Sequence, residues 1–466
     1  MRARRGPAGQ LPGASPGDPP GPPAAVALAR SPAKLGILPR LPDPRFAADC
    51  AILVDGVRVP ARAGESVTSA LLAAERPLLS RSAKYHRPRG PFCLAGSCAS
   101  CLVRVDGAPN VRACATACRE GLRVETQNAV GGAAHDLLGA IDLFAPRGID
   151  HHHLATWSQL ANRVAVSASR QLAGLGTLPD GAPAAWPPAA EARFDALVVG
   201  AGPAGLGAAE ALARAGLRVL LAEQEAALGG RLRCRFGLPG DPPLAWAGEV
   251  GQAVGRAGGQ ALARASVLGL WRQGAEALAA LTVQGEAPHL LVARAPRVVL
   301  ASGTWAQPPL FPGNDLPGVH GARGLAVALA EHGVVPGRRA VVLGRGPEAE
   351  AVAARLAGGG MAVTRVDEVA RARGGRRLAA VDLPDGRRLR CDTLAAATPR
   401  MPAAELAREA GAELALDPAT GAFRVSPGTD GAVAAGVFAA GEVCGPCSAA
   451  EAALAGRRAG EAAARG

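Results

Sequence analysis

Hydrophobic and polar positions change their period along the chain, and the changes divide it. From Cys50, "AILVDGVRVPA" reads as two short apolar strands about an Asp55-Gly56 turn, a hairpin signal. "GESVTSALLAAERP" then carries helical spacing, with Ser66 placed to cap its start and Pro77 past its end. "GLRVETQ" follows as a closing strand. Strand, strand, helix, loop and strand predict a β-grasp domain over residues 46–126. From Phe194 onward strands alternate with Ala/Leu helices, which predicts largely parallel sheets. Two Gly-rich strand–turn–helix units, near 197–215 and 340–357, predict two nucleotide-binding domains rather than a solenoid. The fold class expected is therefore α/β, a β-grasp domain followed by two Rossmann-like domains. The first of these is expected over 194–330 and again over 426–466, interrupted by the second over 331–425. Residues 1–45, rich in Pro, Gly and Ala, read as a disordered tail, and 127–193 as a mixed, Pro-rich linker.

A length of 466 residues, half of them hydrophobic, fits two to four domains with sizeable cores. The net charge of +12 raises nucleic acid and anionic membranes as partners. The arginines, however, are scattered through apolar helices, and no basic run is interleaved with aromatics, so no nucleic-acid partner is expected. Lys34 and Lys84 are the only lysines, a bias that points to GC-rich coding. The longest near-apolar run, Ala196 to Ala213, contains Gly-x-Gly-x-x-Gly and Glu210, a strand–turn–helix pattern rather than a membrane span. "MRARRGP" has the charge of a signal n-region but is followed by "AGQLPGASPGDPPGPP" where an apolar stretch belongs. A cytoplasmic, reducing location is expected, which argues against structural disulfides.

The stretch "PFCLAGSCASCLVRVDGAPNVRAC" holds Cys93, Cys98, Cys101 and Cys114 in the order Cys-x4-Cys-x2-Cys followed by a distant fourth. Three thiolates in one loop and a fourth from a later strand suit a [2Fe–2S] cluster of the plant-ferredoxin type. Gly96 and the small Ala95, Ser97, Ala99 and Ser100 let backbone amides approach the cluster sulfides. The alternatives are a zinc site, which usually presents two separate Cys-x2-Cys knuckles, and simple buried thiols. Cys118 falls outside the pattern.

"FDALVVGAGPAGLGAAEALARAGLRVLLAEQE" is a strand, a Gly200-x-Gly202-x-x-Gly205 turn, a helix and a second strand ending at Glu223. Gly200 permits the turn, Gly202 lets the backbone meet a pyrophosphate, Gly205 allows close packing, and Glu223 is the candidate for ribose hydroxyls. In "LGGRLR", Gly229, Gly230 and Arg231 are candidates for a further pyrophosphate contact, and in "GVFAAGE" Gly441 and Glu442 for a ribityl hydroxyl. Together these predict an FAD cradle. The second unit, "RRAVVLGRGPEAEAVAARLAGGGMAVTRVDE", carries Gly344 and Gly346, with Asp367 ending its second strand. Asp367 favours NAD; Arg345 and Arg365 would favour NADP; a decayed unit that binds nothing is the remaining alternative.

Fingerprint, "ASG" return strand, inserted nucleotide domain and "GVFAAGE" strand together resemble a pyridine nucleotide-disulfide reductase-type flavoprotein. The redox cysteine pair of the disulfide reductases is missing, since Cys234 stands alone; Cys444 and Cys447 follow the flavin acid and carry no assigned role. The front, with "QNAVGGAAHDLL" and "FPGNDLPGV", is similar to the α subunits of the sarcosine oxidase, opine oxidase and cyanide-forming glycine dehydrogenase group. Sarcosine oxidase α subunits carry a folate-binding C-terminal domain and often lack the cluster cysteines, so the opine and cyanide-forming systems are the nearer comparison. The resemblance implies an FAD- and [2Fe–2S]-dependent oxidoreductase subunit, with NAD(P) as a candidate third cofactor, that relays electrons from a flavin-containing β subunit oxidising an amino acid or amine. The alternatives are a stand-alone NAD(P)H-dependent reductase feeding its own cluster, and a scaffold with vestigial sites. No residue declares itself a substrate base: His151, His152 and His153 read as solvated, and Tyr85 and His86 as shaping the cluster domain.

Overall fold

The computed structural model describes residues 40–82, 86–129, 132–136, 158–172, 187–285, 287–418 and 420–466. Tyr85, the three linker histidines, and the tail as far as residue 39 lie outside them. Residues 40–45, assigned to the tail, are part of the fold. Arg40 donates through both Nη atoms to the buried Glu65 at 2.9 Å and through Nη1 to the His332 carbonyl at 2.9 Å.

The N-terminal domain is a five-stranded sheet made of β1 (Cys50–Val54), β2 (Val57–Ala61), β3 (Leu102–Val105), β4 (Ala108–Arg112) and β5 (Arg123–Glu125), in the order β2-β1-β5-β3-β4. Asp55 and Gly56 both take left-handed φ (49° and 77°), the geometry that a two-residue hairpin needs. Helix α1 (Val67–Ala73) lies across the sheet, its first turn capped by the Ser66 side chain, which accepts from Ser69 N. Alternation along β1 and β2 turns Ile52, Val54, Val59 and Ala61 inward onto Leu71 and Val124, and each large side chain so buried stabilises the domain by roughly 1.5–3 kcal/mol. Cys118 is part of this core.

The first nucleotide domain has a six-stranded sheet of β6 (Ala196–Val199), β7 (Val219–Ala222), β8 (Gln260–Leu262), β9 (Arg297–Leu300), β14 (Ala432–Ala434) and β15 (Val437–Ala439), ordered β8-β7-β6-β9-β15-β14. All neighbours are parallel except β14 and β15. Four-residue strands buried on both faces, such as β6 and β7, need cover on both sides. One side is α2 (Pro203–Arg214) and α5 (Ala449–Arg465); the other is a four-stranded sheet that includes Ala190–Arg193. The Ala/Gly bias matters at this contact: a Cβ on Gly456 of α5 would stand 1.8 Å from the Ala204 carbonyl of α2, so only a glycine lets the helices meet.

The second domain is a parallel sheet of β10 (Val319–Gly321), β11 (Arg339–Leu343), β12 (Ala362–Val366) and β13 (Thr393–Ala396), ordered β10-β13-β11-β12, with α3 (Ala322–His332) and α4 (Gly346–Gly358) as its crossovers. Its limits differ from those expected. β10 and α3 belong to it, so it begins near 319 rather than 331, while Ala404, Ala407 and Val425 join the core of the first domain. The linker limit moves as well, because Ala190–Arg193 already pairs in the first domain. The interruption of one domain by the other follows from β15 returning beside β9. No helix of the described residues is long and apolar enough to cross a membrane.

Candidate functional site

The cysteine loop runs from Phe92 to β3, and its bend is set by left-handed residues Leu94 (φ 57°) and Gly96 (φ 71°). These turn backbone amides onto sulfur: Gly96 N–H donates to Cys114 Sγ at 3.2 Å and Ala95 N–H to Cys93 Sγ at 3.5 Å. Cys114, at the end of β4, brings its Sγ to 3.4 Å from that of Cys101. Hydrogen bonds from the Cys114 and Cys98 thiols hold Cys93 far below the ordinary thiol range; the contact with Cys93 pushes Cys98 up, and those with Cys101 and then Cys93 push Cys114 up. Loop and strand thus bring all four predicted cysteines together. Among the described residues no group of three or more His, Cys, Asp or Glu side chains is spaced to hold a metal ion. The thiols lie on one another instead, and what fits a [2Fe–2S] cluster is the donor set: four thiols with two backbone amides aimed at them.

The loop rests on the start of α3. Gly321 N–H donates to the Phe92 carbonyl (2.8 Å), and a Cβ on Gly324 would stand 2.2 Å from the Cys93 carbonyl. Arg62, reaching from β2 to the far end of α3, donates to the Glu331 carbonyl at 3.0 Å. His86 is buried against Asp136 at 2.8 Å, a contact between the cluster domain and the segment that follows it.

The first glycine turn sits where β6 ends and α2 begins. Gly200 (φ 92°) lies under the Ala301 carbonyl, which a Cβ would meet at 2.4 Å, and a Cβ on Gly205 would meet the Gly200 carbonyl at 1.7 Å. At Gly202 a Cβ would find only Gly230 Cα, 4.0 Å away, and otherwise the cavity. That open side, facing the N-terminus of a twelve-residue helix, fits a pyrophosphate. Glu223 is buried, and both its oxygens are engaged by the loop, Oε2 accepting from Ala201 N (2.8 Å) and Oε1 from Glu225 N (2.9 Å). Burial raises its carboxyl.

Glu442, the candidate for a ribityl hydroxyl, follows Gly441, at which a Cβ would stand 2.7 Å from the Ala204 side chain in the first turn of α2. Arg323 of α3 donates Nη1 to Glu442 Oε2 and Nη2 to Glu442 Oε1, both at 2.7 Å; Arg231 Nη1 reaches Oε1 at 3.2 Å and Thr304 Oγ1 reaches Oε2 at 3.3 Å. A carboxylate has about four lone-pair positions, so a ribityl hydroxyl must displace one of the two longer contacts. Burial works to raise Glu442, but Arg323 and Arg231 hold it down to about 2. Arg231, expected at a pyrophosphate, donates Nη1 to Glu442 and to the Cys447 carbonyl (2.8 Å). Arg323 also grips Glu348 in the first turn of α4 (2.8–3.1 Å), within the second domain, so its bonds to Glu442 tie the two nucleotide domains together.

A cavity of about 360 Å³ joins these parts, lined by Gly200, Gly202 and Glu223, by Arg323, Arg400 and Glu442, and by Cys93, Leu94 and Ala95 from the cysteine loop. Arg323, Arg400, Thr304 and Glu348 carry no pattern in the sequence, and an arginine in an arginine-rich chain gives no signal. In the second domain Gly344 (φ 136°) is pressed under the Ala397 carbonyl, and Gly346 opens to space. Asp367 is exposed and paired with Arg345 at 3.1 Å, and Arg365 with Glu350 at 2.9 Å, so both arginines offered for NADP already face carboxylates.

Residues 47–129 match a 2Fe-2S iron-sulfur cluster binding domain and residues 198–240 an NAD(P)-binding Rossmann-like domain. The HcnA subunit of hydrogen cyanide synthase from Pseudomonas aeruginosa is 42% identical over 85 residues, 18% of this chain and 81% of that protein. The α subunit of sarcosine oxidase from Rhizobium meliloti is 32% identical over 335 residues, 67% of this chain and 33% of that protein. The chain belongs to the α-subunit-like group of FAD/[2Fe–2S] oxidoreductases that includes these proteins and their opine oxidase counterpart from Rhizobium meliloti. It spans about a third of the length of the sarcosine oxidase α subunits that it matches. The L-proline dehydrogenase of P. horikoshii shares the fold, with a TM-score of 0.68, 22% identity, and 88% of this chain and 72% of that one covered. The cofactors that go with these matches are a [2Fe–2S] cluster and FAD, and the NAD(P)-binding family fits a pyridine dinucleotide as the third.

Proposed function

We propose that this chain is the FAD- and [2Fe–2S]-dependent electron-transferring α-type subunit of an amino-acid or amine dehydrogenase or oxidase complex. One observation carries the reading: Cys93, Leu94 and Ala95 of the cysteine loop form a wall of the cavity lined by Gly200, Gly202 and Glu442. A flavin supplies two-electron chemistry and a [2Fe–2S] cluster one-electron chemistry, so two such sites sharing a wall suit a converter. In this reading the open face of Gly202 and the start of α2 hold a pyrophosphate, with Gly230 packed beside them. Glu223 faces the adenosine end, and Gly441 and Glu442, clamped by Arg323, face the ribityl chain. Cys93, Cys98, Cys101 and Cys114 hold the cluster, and Gly324 gives its loop room against α3. Substrate oxidation belongs to a flavin-containing β subunit, because the strong motifs are engaged with cofactors and no histidine, lysine or tyrosine of the described residues lines the cavity.

The second reading, a stand-alone NAD(P)H-dependent reductase, draws on Gly344, Gly346 and Asp367, whose turn keeps the geometry of a pyridine-nucleotide unit. Anaerobic titration of the isolated chain separates the two. Glycine, sarcosine, proline and opines are expected to leave the visible flavin band unchanged until a β partner is added. Bleaching by any of them without a partner makes this chain the dehydrogenase, and bleaching by NADH with electrons reaching the cluster makes it the reductase.

A further inference from the structure

The charge of +12 is not spread evenly over the chain. Residues 371–390 hold seven arginines and two aspartates, and no lysine or glutamate. They fold into a three-stranded antiparallel sheet of Arg371–Gly374, Leu378–Asp382 and Arg388–Arg390. Register sorts its two faces. Ala372, Val381 and Leu389 form one row; Ala372 and Val381 are buried in a core that also holds Phe92 and Cys93, with Leu389, Cys98 and Cys114 packed against it. The opposite face carries Arg371 and Arg388 on either side of Asp382, and Arg373 and Arg390 on either side of Ala380. Asp382 accepts from Arg373 Nε and Arg388 Nε, both at 2.6 Å, and Asp385 pairs with Arg387 at 2.7 Å. Arg371, Arg376, Arg377 and Arg390 are exposed, and no carboxylate among the described residues pairs with them. Burial pushes the Arg81 guanidinium of the cluster domain down against the pull of Asp136, and Arg376 adds to the push, so the arginine face borders that domain.

We propose that this arginine face is the docking surface for an acidic one-electron carrier protein, which collects electrons from the cysteine-loop side. The inference rests on the relay reading and names the acceptor that reading lacks. Two independent observations meet in one sheet. Its outer face holds positive charge that the described residues leave unpaired, and its inner face shares a core with Cys93. Facing layers of a protein core stand about 10 Å apart, so a partner seated on the arginines lies one layer from the loop. Charge complementarity selects an acidic protein, which a basic patch both steers and orients. The chain supplies no such occupant itself. Outside the described residues its acids are Asp18, Asp142, Asp150, Asp180 and Glu286, no two of them close in sequence, and a second copy brings the same positive excess. Bases and bilayers fit less well, because residues 371–390 include no aromatic side chain to stack and no exposed large apolar one to insert. Each transfer oxidises the cluster by one electron and reduces the carrier by one, with no bond made or broken.

The test is binding of the full-length chain, as purified with its cofactors, to an acidic plant-type [2Fe–2S] ferredoxin, with basic cytochrome c, phosphatidylglycerol vesicles and duplex DNA as comparisons. Saturable ferredoxin binding that weakens as salt rises is expected. A variant combining Arg371→Gln, Arg376→Gln, Arg377→Gln and Arg390→Gln should bind at least about tenfold more weakly and be slower to reduce ferredoxin after photoreduction, with iron and flavin content unchanged. Should that variant fail to fold, Arg376→Gln with Arg377→Gln, both in the turn before Leu378, is expected to show a smaller loss. A control combining Arg256→Gln, Arg408→Gln, Arg458→Gln and Arg465→Gln removes the same charge from exposed positions of the first domain and is expected to bind as wild type does. The proposal is overturned if wild type leaves ferredoxin unbound or binds cytochrome c as tightly, if the folded face variants bind as well as wild type, or if the control loses as much. Tighter binding to the vesicles or to DNA than to ferredoxin, lost in the face variant, overturns it as well. Missing iron or flavin counts against the relay reading instead, so the two failures are told apart.

Discussion

Gly202 and Gly205 lie three residues apart in one turn, yet their substitution is expected to fail in opposite ways. At Gly202 the backbone has an ordinary φ of −72°, and an added Cβ meets nothing closer than Gly230 Cα at 4.0 Å. Gly202→Val therefore fits the folded chain, with a stability change within about 0.5 kcal/mol, but it fills the space in which a pyrophosphate would approach the start of α2. At Gly205 the Cβ would stand 1.7 Å from the Gly200 carbonyl and 3.4 Å from the Ala301 side chain. The obstacle is backbone, not a side chain that can swing away, so α2 must lift from β6 and give up packing at Ala204, Ala208 and Leu212. Overpacking of this kind costs about 3 kcal/mol or more, a fall in Tm on the order of 10 °C for a domain of this size. Flavin absorbance of the purified variants and their circular-dichroism melts separate the two effects. Gly202→Val is expected to lose its flavin and to melt with flavin-stripped wild type; Gly205→Ala is expected to melt earlier than that. A folded Gly202→Val with full flavin, or a Gly205→Ala that melts with wild type, refutes the assignment of this turn.

Cys98→Ser removes one thiolate from a cradle whose other three come from the same loop and β4, so iron and labile sulfide per chain are expected to fall; zinc in the wild-type protein, or unchanged iron in the variant, argues against the cluster. Arg323→Met leaves Glu442 and Glu348 without their main partner, and a loss of about 3–5 kcal/mol is expected in chemical denaturation. The same pair has a pH signature. Glu442 is held down to about 2 from an ordinary 4.5, so its contribution is present above about pH 4.5 and is lost as the pH falls toward 2. Wild type should lose its stability advantage over Arg323→Met across that window, and a constant difference between the two would disprove the clamp. Gly324→Val should drive the cysteine loop off α3, because the Cys93 carbonyl already lies 2.2 Å from a Cβ there. Iron loss, or slowed reduction of the cluster by reduced flavin, is the expected readout, and wild-type values of both would show that the contact is dispensable.

How much of the fold and site is legible in the sequence depends on how local each requirement is. The Asp55-Gly56 turn, the Ser66 cap, the Cys93–Cys101 spacing and the Gly200 turn each impose geometry within a few residues. A sequence therefore has to spell them out, through a left-handed φ, a side-chain acceptor or a missing Cβ. The β-grasp and two-nucleotide-domain architecture followed from such signals. The domain limits did not, because whether the segment at 319–332 joins the sheet ahead of it or behind it is decided by strand pairing with β13, some 70 residues further on. Nor did the ion cluster around Glu442. Arg231, Thr304, Arg323, Glu348, Arg400 and Glu442 come from six separate segments, and only the packing of two domains across α3 brings them within hydrogen-bond distance. Glu442 was visible as an acid at a strand end, but its saturation by Arg323 was not, since a charged side chain acquires a partner and a shifted titration only once folding removes the water between them. The sequence by itself determined which chemistry the chain can hold; the tertiary structure alone decided that the cysteine loop lines the same cavity as the Gly200 turn, because such a wall is made by chain segments that no local interaction relates.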